Sequence, residues 1–147
     1  MAALLILVVM LAVAFGLNPA REDFAWFLRL RRPAWLVFEA AIPLIWIAIY
    51  ACFYASVLLC WFASRSWPLM GAYLVLLVLV QSYTLVICRS RSLRPGTAIG
   101  FAGWVWGLAL TVAVSPYGLA IWLLLLPYLL WSPVGTFVTW QMHRLNR

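Results

Sequence analysis

Charge is the scarcest property of this chain. Of its 147 residues only 9% are charged, against 68% that are hydrophobic. A soluble domain carries about 25% charged residues, so this one cannot cover a water-facing surface, and the bilayer is the solvent it is built for. Lysine is absent: all ten basic residues are arginine. The arginines punctuate apolar runs instead of forming a basic face, which excludes a nucleic-acid surface despite a net charge of +7. The acids are only Glu22, Asp23 and Glu39, and the one histidine is His143; these are too few to assemble a metal cluster. Cys52, Cys60 and Cys88 form no CxxC pair and lie in apolar segments. That argues against a disulfide framework, a zinc site or covalent haem attachment, and the three read as small packing residues. No nucleophile–base pair for hydrolytic chemistry stands out, nor does any internal repeat or low-complexity linker.

Long apolar runs fill the chain instead. Arg, Pro and Gly divide them into five expected membrane helices, at about 1–17, 35–62, 67–88, 97–115 and 117–142, within a single all-α domain over 1–147. Asn18-Pro19 ends the first run, which is short for a span, and Ser115-Pro116-Tyr117-Gly118 is a turn signature. Ala12-Val13-Ala14 looks like a signal cleavage site, yet no Lys or Arg precedes the apolar stretch, so the run reads as a retained helix. Nine arginines then share one side: Arg21, Arg29, Arg31 and Arg32 in the first loop, Arg89, Arg91 and Arg94 in the third, and Arg144 and Arg147 in the tail. Only Arg65 is on the other. The positive-inside rule places the N-terminus outside and the tail in the cytoplasm.

The segment from Trp26 to Trp35, continuing to Trp46 and Tyr50, couples a basic aromatic loop to an apolar helix. Guanidinium groups there face lipid phosphates, and indoles sit at headgroup level. Further along, Trp46, Tyr50, Phe53, Tyr54 and Trp61 recur at helical spacing, while Tyr128, Trp131 and Gly135 share nearby turns of the last helix. Facing stripes of this kind make a slot for a flat apolar ring system. Trp35, Trp67, Trp122 and Trp140, at helix ends, also read as interface anchors.

Trp26, Phe27, Leu30, Arg32-Pro33 and Trp35, then Ile42, Ile45-Trp46 and Ile49-Tyr50, resemble the second-helix entry of the TspO/MBR family, the tryptophan-rich sensory and translocator proteins, which reads roughly W-Y-x-x-L-x-K-P-x-W-x-P-P and then F-x-x-V-W-x-x-L-Y. Pro127-Tyr128-Leu129-Leu130-Trp131, Val134-Gly135-Thr136 and Leu145-Asn146 match that family's fifth helix, and Gly71 and Tyr73 its third. The chain departs from the pattern at Val37-Phe38, where the family has a double proline, at Val80 and Tyr83 in place of its Asn and Trp, and near Ile87-Cys88 in place of Phe-Phe. Gln81 or Ser82 is a candidate substitute for the missing Asn. The pattern is that of a divergent branch, similar to TspO-like proteins of photosynthetic bacteria. The resemblance implies a five-helix bundle in a bacterial cytoplasmic or internal photosynthetic membrane. It also implies a tetrapyrrole pocket for haem or protoporphyrin IX, walled by Trp26, Phe27, Trp35, Ile42, Trp46, Tyr50, Tyr83, Tyr128, Trp131 and Gly135.

Arg29, Arg31 and Arg32 have two readings: ligands for tetrapyrrole propionates, or lipid-headgroup and topology determinants. Glu39, an acid inside the second span, is expected to pair with Arg89, Arg91 or Arg94, the alternative being a role in gating or in binding a pyrrole nitrogen. His143 reads as a surface residue near a helix C-terminus. Gly96-x3-Gly100 and Gly103-x3-Gly107 fit the small-xxx-small pattern, serving either a homodimer or packing within the bundle. Three functions follow: a tetrapyrrole receptor or carrier, a small subunit of a larger pigment–protein complex, or a light- and oxygen-dependent porphyrin-degrading enzyme, the last weakened by Tyr83.

Overall fold

The structure, a computed structural model, describes residues 1–146, so Arg147 lies outside the described residues. All regular structure among them is helical: α1 (Ala2–Gly16), α2 (Arg21–Leu28), α3 (Ile42–Ser64), α4 (Trp67–Ser90), α5 (Leu93–Val114), α6 (Leu119–Leu123) and α7 (Leu126–Leu145). Four segments are long and apolar enough to cross a membrane: Glu39–Ser64, Trp67–Ser90, Leu93–Tyr117 and Leu119–Leu145. The first expected span is different. Its 15 residues rise only about 22 Å at 1.5 Å each, short of the ~30 Å hydrocarbon core. A fifth span exists only if α1 and α2 count together, and they meet at a 73° bend.

Asn18-Pro19 makes that bend, since proline disfavours the helical conformation at the residue before it. Helix α2 then starts from an extended Ala20, with Glu22 and Asp23 in its first turn, where carboxylates complement the helix dipole. By sequence this segment is an arginine-bearing loop; in the structure it is a helix. The second span also begins later than expected, at Glu39 and not at Trp35. Pro33 removes a backbone donor from the intervening stretch, which is held by local bonds from Leu36 N to Pro33 O (3.0 Å) and Val37 N to Trp35 O (2.9 Å). Pro43 sits in the first turn of α3, where its missing N–H costs nothing.

Helix α5 lies against α4 and α7, and its glycines face inward. A Cβ at Gly100 would lie 2.5 Å from Thr136 Oγ1, and one at Gly107 2.8 Å from Tyr128 Cε1; Gly96 meets Ile87 in the same way. Of the two readings of this stripe, packing within the bundle is therefore the one realised. The buried core draws Ile49, Phe53 and Val57 from α3, Tyr73 and Leu76 from α4, Leu110 and Val114 from α5, and Tyr128 from α7. Much of the remaining apolar surface is exposed, including Leu44, Ile47, Val112 and Leu130, as expected of helices whose outer faces meet lipid.

Breaks in the last span are repaired by side chains, because no water reaches them. Leu125 N turns to Trp122 O at the α6–α7 junction. The carbonyl of Ile121 instead accepts from Ser56 Oγ at 2.7 Å. With that proton used, Ser56 Oγ accepts from the Tyr73 hydroxyl, also at 2.7 Å. Pro133, inside α7, cannot donate to Leu129 O; Trp104 Nε1 donates to that carbonyl at 3.1 Å.

Candidate functional site

Helices α3, α4, α5 and α7 enclose an aromatic cavity of about 40 Å³. Trp46 reaches it from α3, Val80 and Tyr83 from α4, Gly100 and Gly103 from α5, and Tyr128, Trp131 and Gly135 from α7. The bare α5 glycines decide where Tyr128 goes: a Cβ at Gly103 would stand 2.8 Å from its hydroxyl oxygen. Gly135 is different, for the nearest atom to a Cβ there is Trp131 Nε1 at 3.9 Å, so this glycine borders open space. Polar side chains in the wall are few: Tyr83, Tyr128, Ser132 and Thr136. Thr139 Oγ1 donates to Gly135 O at 3.1 Å, which leaves it to accept from the Tyr83 hydroxyl. A smaller void, about 10 Å³, adjoins on the side of Tyr50 and Phe53, sharing Val80 and Tyr128 as walls.

A clasped loop covers this end of the bundle. Asn146, at the end of α7, accepts from Arg31 N at 2.8 Å and donates to Arg31 O at 2.9 Å. Trp35 Nε1 donates to Gln141 Oε1 at 2.6 Å. Arg32 folds beneath the loop: it pairs with Glu39, donates to Leu30 O at 2.8 Å and lies 5.3 Å over the Phe27 ring. Trp26, Phe27 and Leu30 pack with Tyr83 on the buried trio Ile87, Leu93 and Met142. Nearby, Arg91 pairs with Asp23 at 3.9 Å, and Arg94 Nε donates to His143 Nε2 at 3.0 Å.

The sequence model of the TspO/MBR family matches residues 2–145. This chain belongs to the TspO/MBR family. It is also similar to "Uncharacterized membrane protein YtaB" of Bacillus subtilis (strain 168), 25% identical over 127 residues that cover 84% of this chain and 82% of that protein. Membership together with the long apolar helices makes this TspO/MBR protein an integral membrane protein.

The cavity of this TspO/MBR protein joins Trp46, Tyr83, Tyr128, Trp131 and Gly135, five of the ten wall residues expected from the resemblance. Tyr50 lies in the adjoining void, and Trp26 and Phe27 pack beneath the loop. Ile42 opens α3, half-buried. Trp35 stands outside, its ring 6.2 Å from those of both Phe38 and Phe137. Arg29 and Arg31 are exposed.

Glu39 requires a correction: its partner is Arg32, seven residues away, and not Arg89, Arg91 or Arg94. Neither Gln81 nor Ser82 replaces the family's Asn in the cavity wall; Ser82 Oγ donates to Leu79 O in its own helix at 3.1 Å. A polar chain beside the wall runs Tyr83–Thr139–Gly135, and no local pattern signals it because Thr139 is 56 residues from Tyr83. Phe38 packs behind the cavity wall and does not line the cavity itself. This residue stands in place of the family's second proline and meets Trp131 edge-on at 6.3 Å.

Proposed function

We propose that this TspO/MBR protein is a membrane receptor or carrier for porphyrin-type tetrapyrroles such as haem or protoporphyrin IX, acting in tetrapyrrole trafficking or stress sensing, with the arginine-rich end facing the cytoplasm. One observation carries the reading: Trp46, Tyr83, Tyr128 and Trp131 converge around a side-chain-free Gly135 below a loop that exposes Arg29 and Arg31. Offset contacts with a macrocycle are worth about 0.5–1.5 kcal/mol per ring beyond area burial, and guanidinium groups suit propionates. The cavity of about 40 Å³ is far below the ~300–1,000 Å³ of a drug-sized site. Uptake therefore runs through an opened state in which the Asn146 and Trp35 clasps release and Phe38 swings off Trp131. Titration of the purified protein with protoporphyrin IX should give saturable quenching of tryptophan fluorescence. Trp46→Ala and Trp131→Ala should each weaken it by up to about tenfold. Unsaturable quenching, or variants that bind as the parent does, would remove the receptor reading.

The small volume of the cavity also favours a second reading, a small subunit of a larger pigment–protein membrane complex, in which the aromatic residues are simply core. Co-purification at fixed stoichiometry with a large complex from the native membrane distinguishes it.

A further inference from the structure

The molecule holds a space larger than the aromatic cavity. Between α1, α3 and α4, at the end of the bundle away from the arginine-rich loops, an open groove encloses about 680 Å³. That volume falls within the ~300–1,000 Å³ typical of small-molecule sites. Leu5, Ile6 and Val9 of α1, Val57 of α3 and Leu74 of α4 are among its lining. The Tyr73 hydroxyl beside it is already committed to Ser56. Hydrocarbon is therefore what the groove recognises along most of its length.

Its mouth is different. Arg65 lies there, and the three acids of the chain, Glu22, Asp23 and Glu39, belong to the opposite end, so no carboxylate offsets it. Its guanidinium is held between two rings, 5.4 Å from Trp61 and 5.5 Å from Phe62. Its backbone caps α3 in the left-handed conformation at φ 51°, which fixes the root of the side chain. Trp61, also in the groove wall, carries a buried Nε1–H without a partner among the described residues. Exposed Trp67 and Phe62 flank the site, as aromatic residues do at the headgroup level of a bilayer.

Gly71 keeps the groove open. A Cβ there would meet nothing within 4 Å, so close helix approach does not explain this glycine, unlike those of α5. A mid-helix glycine that packs against nothing weakens α4 for no structural return; what its missing side chain leaves is volume in the groove.

We propose that the α1–α3–α4 groove binds an acyl chain of an anionic phospholipid whose phosphate rests on Arg65. Hydrocarbon fills the groove, and the guanidinium supplies a charge-assisted contact at its mouth. The inference is independent of the tetrapyrrole reading, which concerns the other end of the bundle.

Native mass spectrometry of the full chain, released from detergent and titrated with dioleoyl phosphatidylglycerol or dioleoyl phosphatidylcholine, tests it. One tightly retained phosphatidylglycerol is expected, favoured over phosphatidylcholine by about tenfold, because both lipids carry the phosphate but only phosphatidylcholine brings a quaternary ammonium next to the Arg65 guanidinium. Arg65→Gln should erase that preference while leaving weak retention of both lipids. Gly71→Leu should fill the groove and abolish retention of both, with the melting temperature of the protein unchanged or raised. Equal retention of the two lipids by the parent protein would overturn the proposal. So would a preference that survives Arg65→Gln and disappears with Arg31→Gln, or undiminished retention by Gly71→Leu. Displacement of the lipid by protoporphyrin IX at equimolar amounts would reassign the groove to the tetrapyrrole.

Discussion

The two ends of this bundle hold opposite kinds of space. Towards the arginine-rich end, four helices leave between them only a small aromatic cavity of about 40 Å³. At the Arg65 end, three helices leave an apolar groove of about 680 Å³ open to the side. The difference follows from what fills each gap. The closed end has the glycine stripe of α5, which lets α4 and α7 approach, and a loop pinned by Asn146 and Trp35. At the open end the glycine of α4 has no close partner, and the short α1 supplies only one side of the gap. Glycine is thus used in two ways in one fold: against a neighbour it brings helices together, and facing a void it keeps them from filling it.

The sharpest way to break the closed end is at Gly107. Gly107→Val drives a branched side chain into Tyr128 and Leu129, the former 2.8 Å from the first added carbon. A loss of about 3 kcal/mol is expected from overpacking, read as a lower melting temperature in detergent, together with quenching behaviour altered at the cavity that Tyr128 walls. Ser56→Ala comes next. It strips the buried partner from both Ile121 O and the Tyr73 hydroxyl, at about 1–3 kcal/mol; an unchanged melting temperature would show that the α6–α7 break is satisfied some other way.

Smaller effects separate the clasp from the bundle it covers. Asn146→Ala removes two bonds to the Arg31 backbone, worth about 1 kcal/mol each. Faster hydrogen exchange over residues 29–38 should result, with little change in the transition of the core helices. If the loop is the gate, ligand association speeds up as well. Glu39→Gln is expected to do least. The Glu39 side chain is 47% exposed, so its pair with Arg32 contributes about 1 kcal/mol or less. Loss of pigment binding at unchanged stability would make Glu39 a ligand-side residue and not a strut.

How far the sequence carried the reading differs by region. The four long spans were legible because twenty or so uninterrupted apolar residues have no other solvent. The family was legible from two motifs, around Trp26–Tyr50 and Pro127–Trp131. The second span starts later than its composition suggests because Pro43 fits only the first turn of a helix, so the apolar residues before it cannot continue that helix backwards. The partner of Glu39 was misassigned because side of the membrane was the only criterion available, and several arginines satisfied it. The clasp depended on pairings across more than a hundred residues, Arg31 with Asn146 and Trp35 with Gln141, which no local pattern encodes.

By itself, the sequence determined the solvent, the helical class and the four long spans, the clustering of arginine at one end and the family. All of these are properties of composition and local periodicity, summed over short windows. Only the tertiary structure decided which aromatics share a cavity, that Phe38 packs on Trp131 behind its wall, and that Gly71 faces empty space while Gly103 faces Tyr128. Volume between helices is a difference between large packed surfaces, and a difference of that kind has no signature in any one segment of the chain.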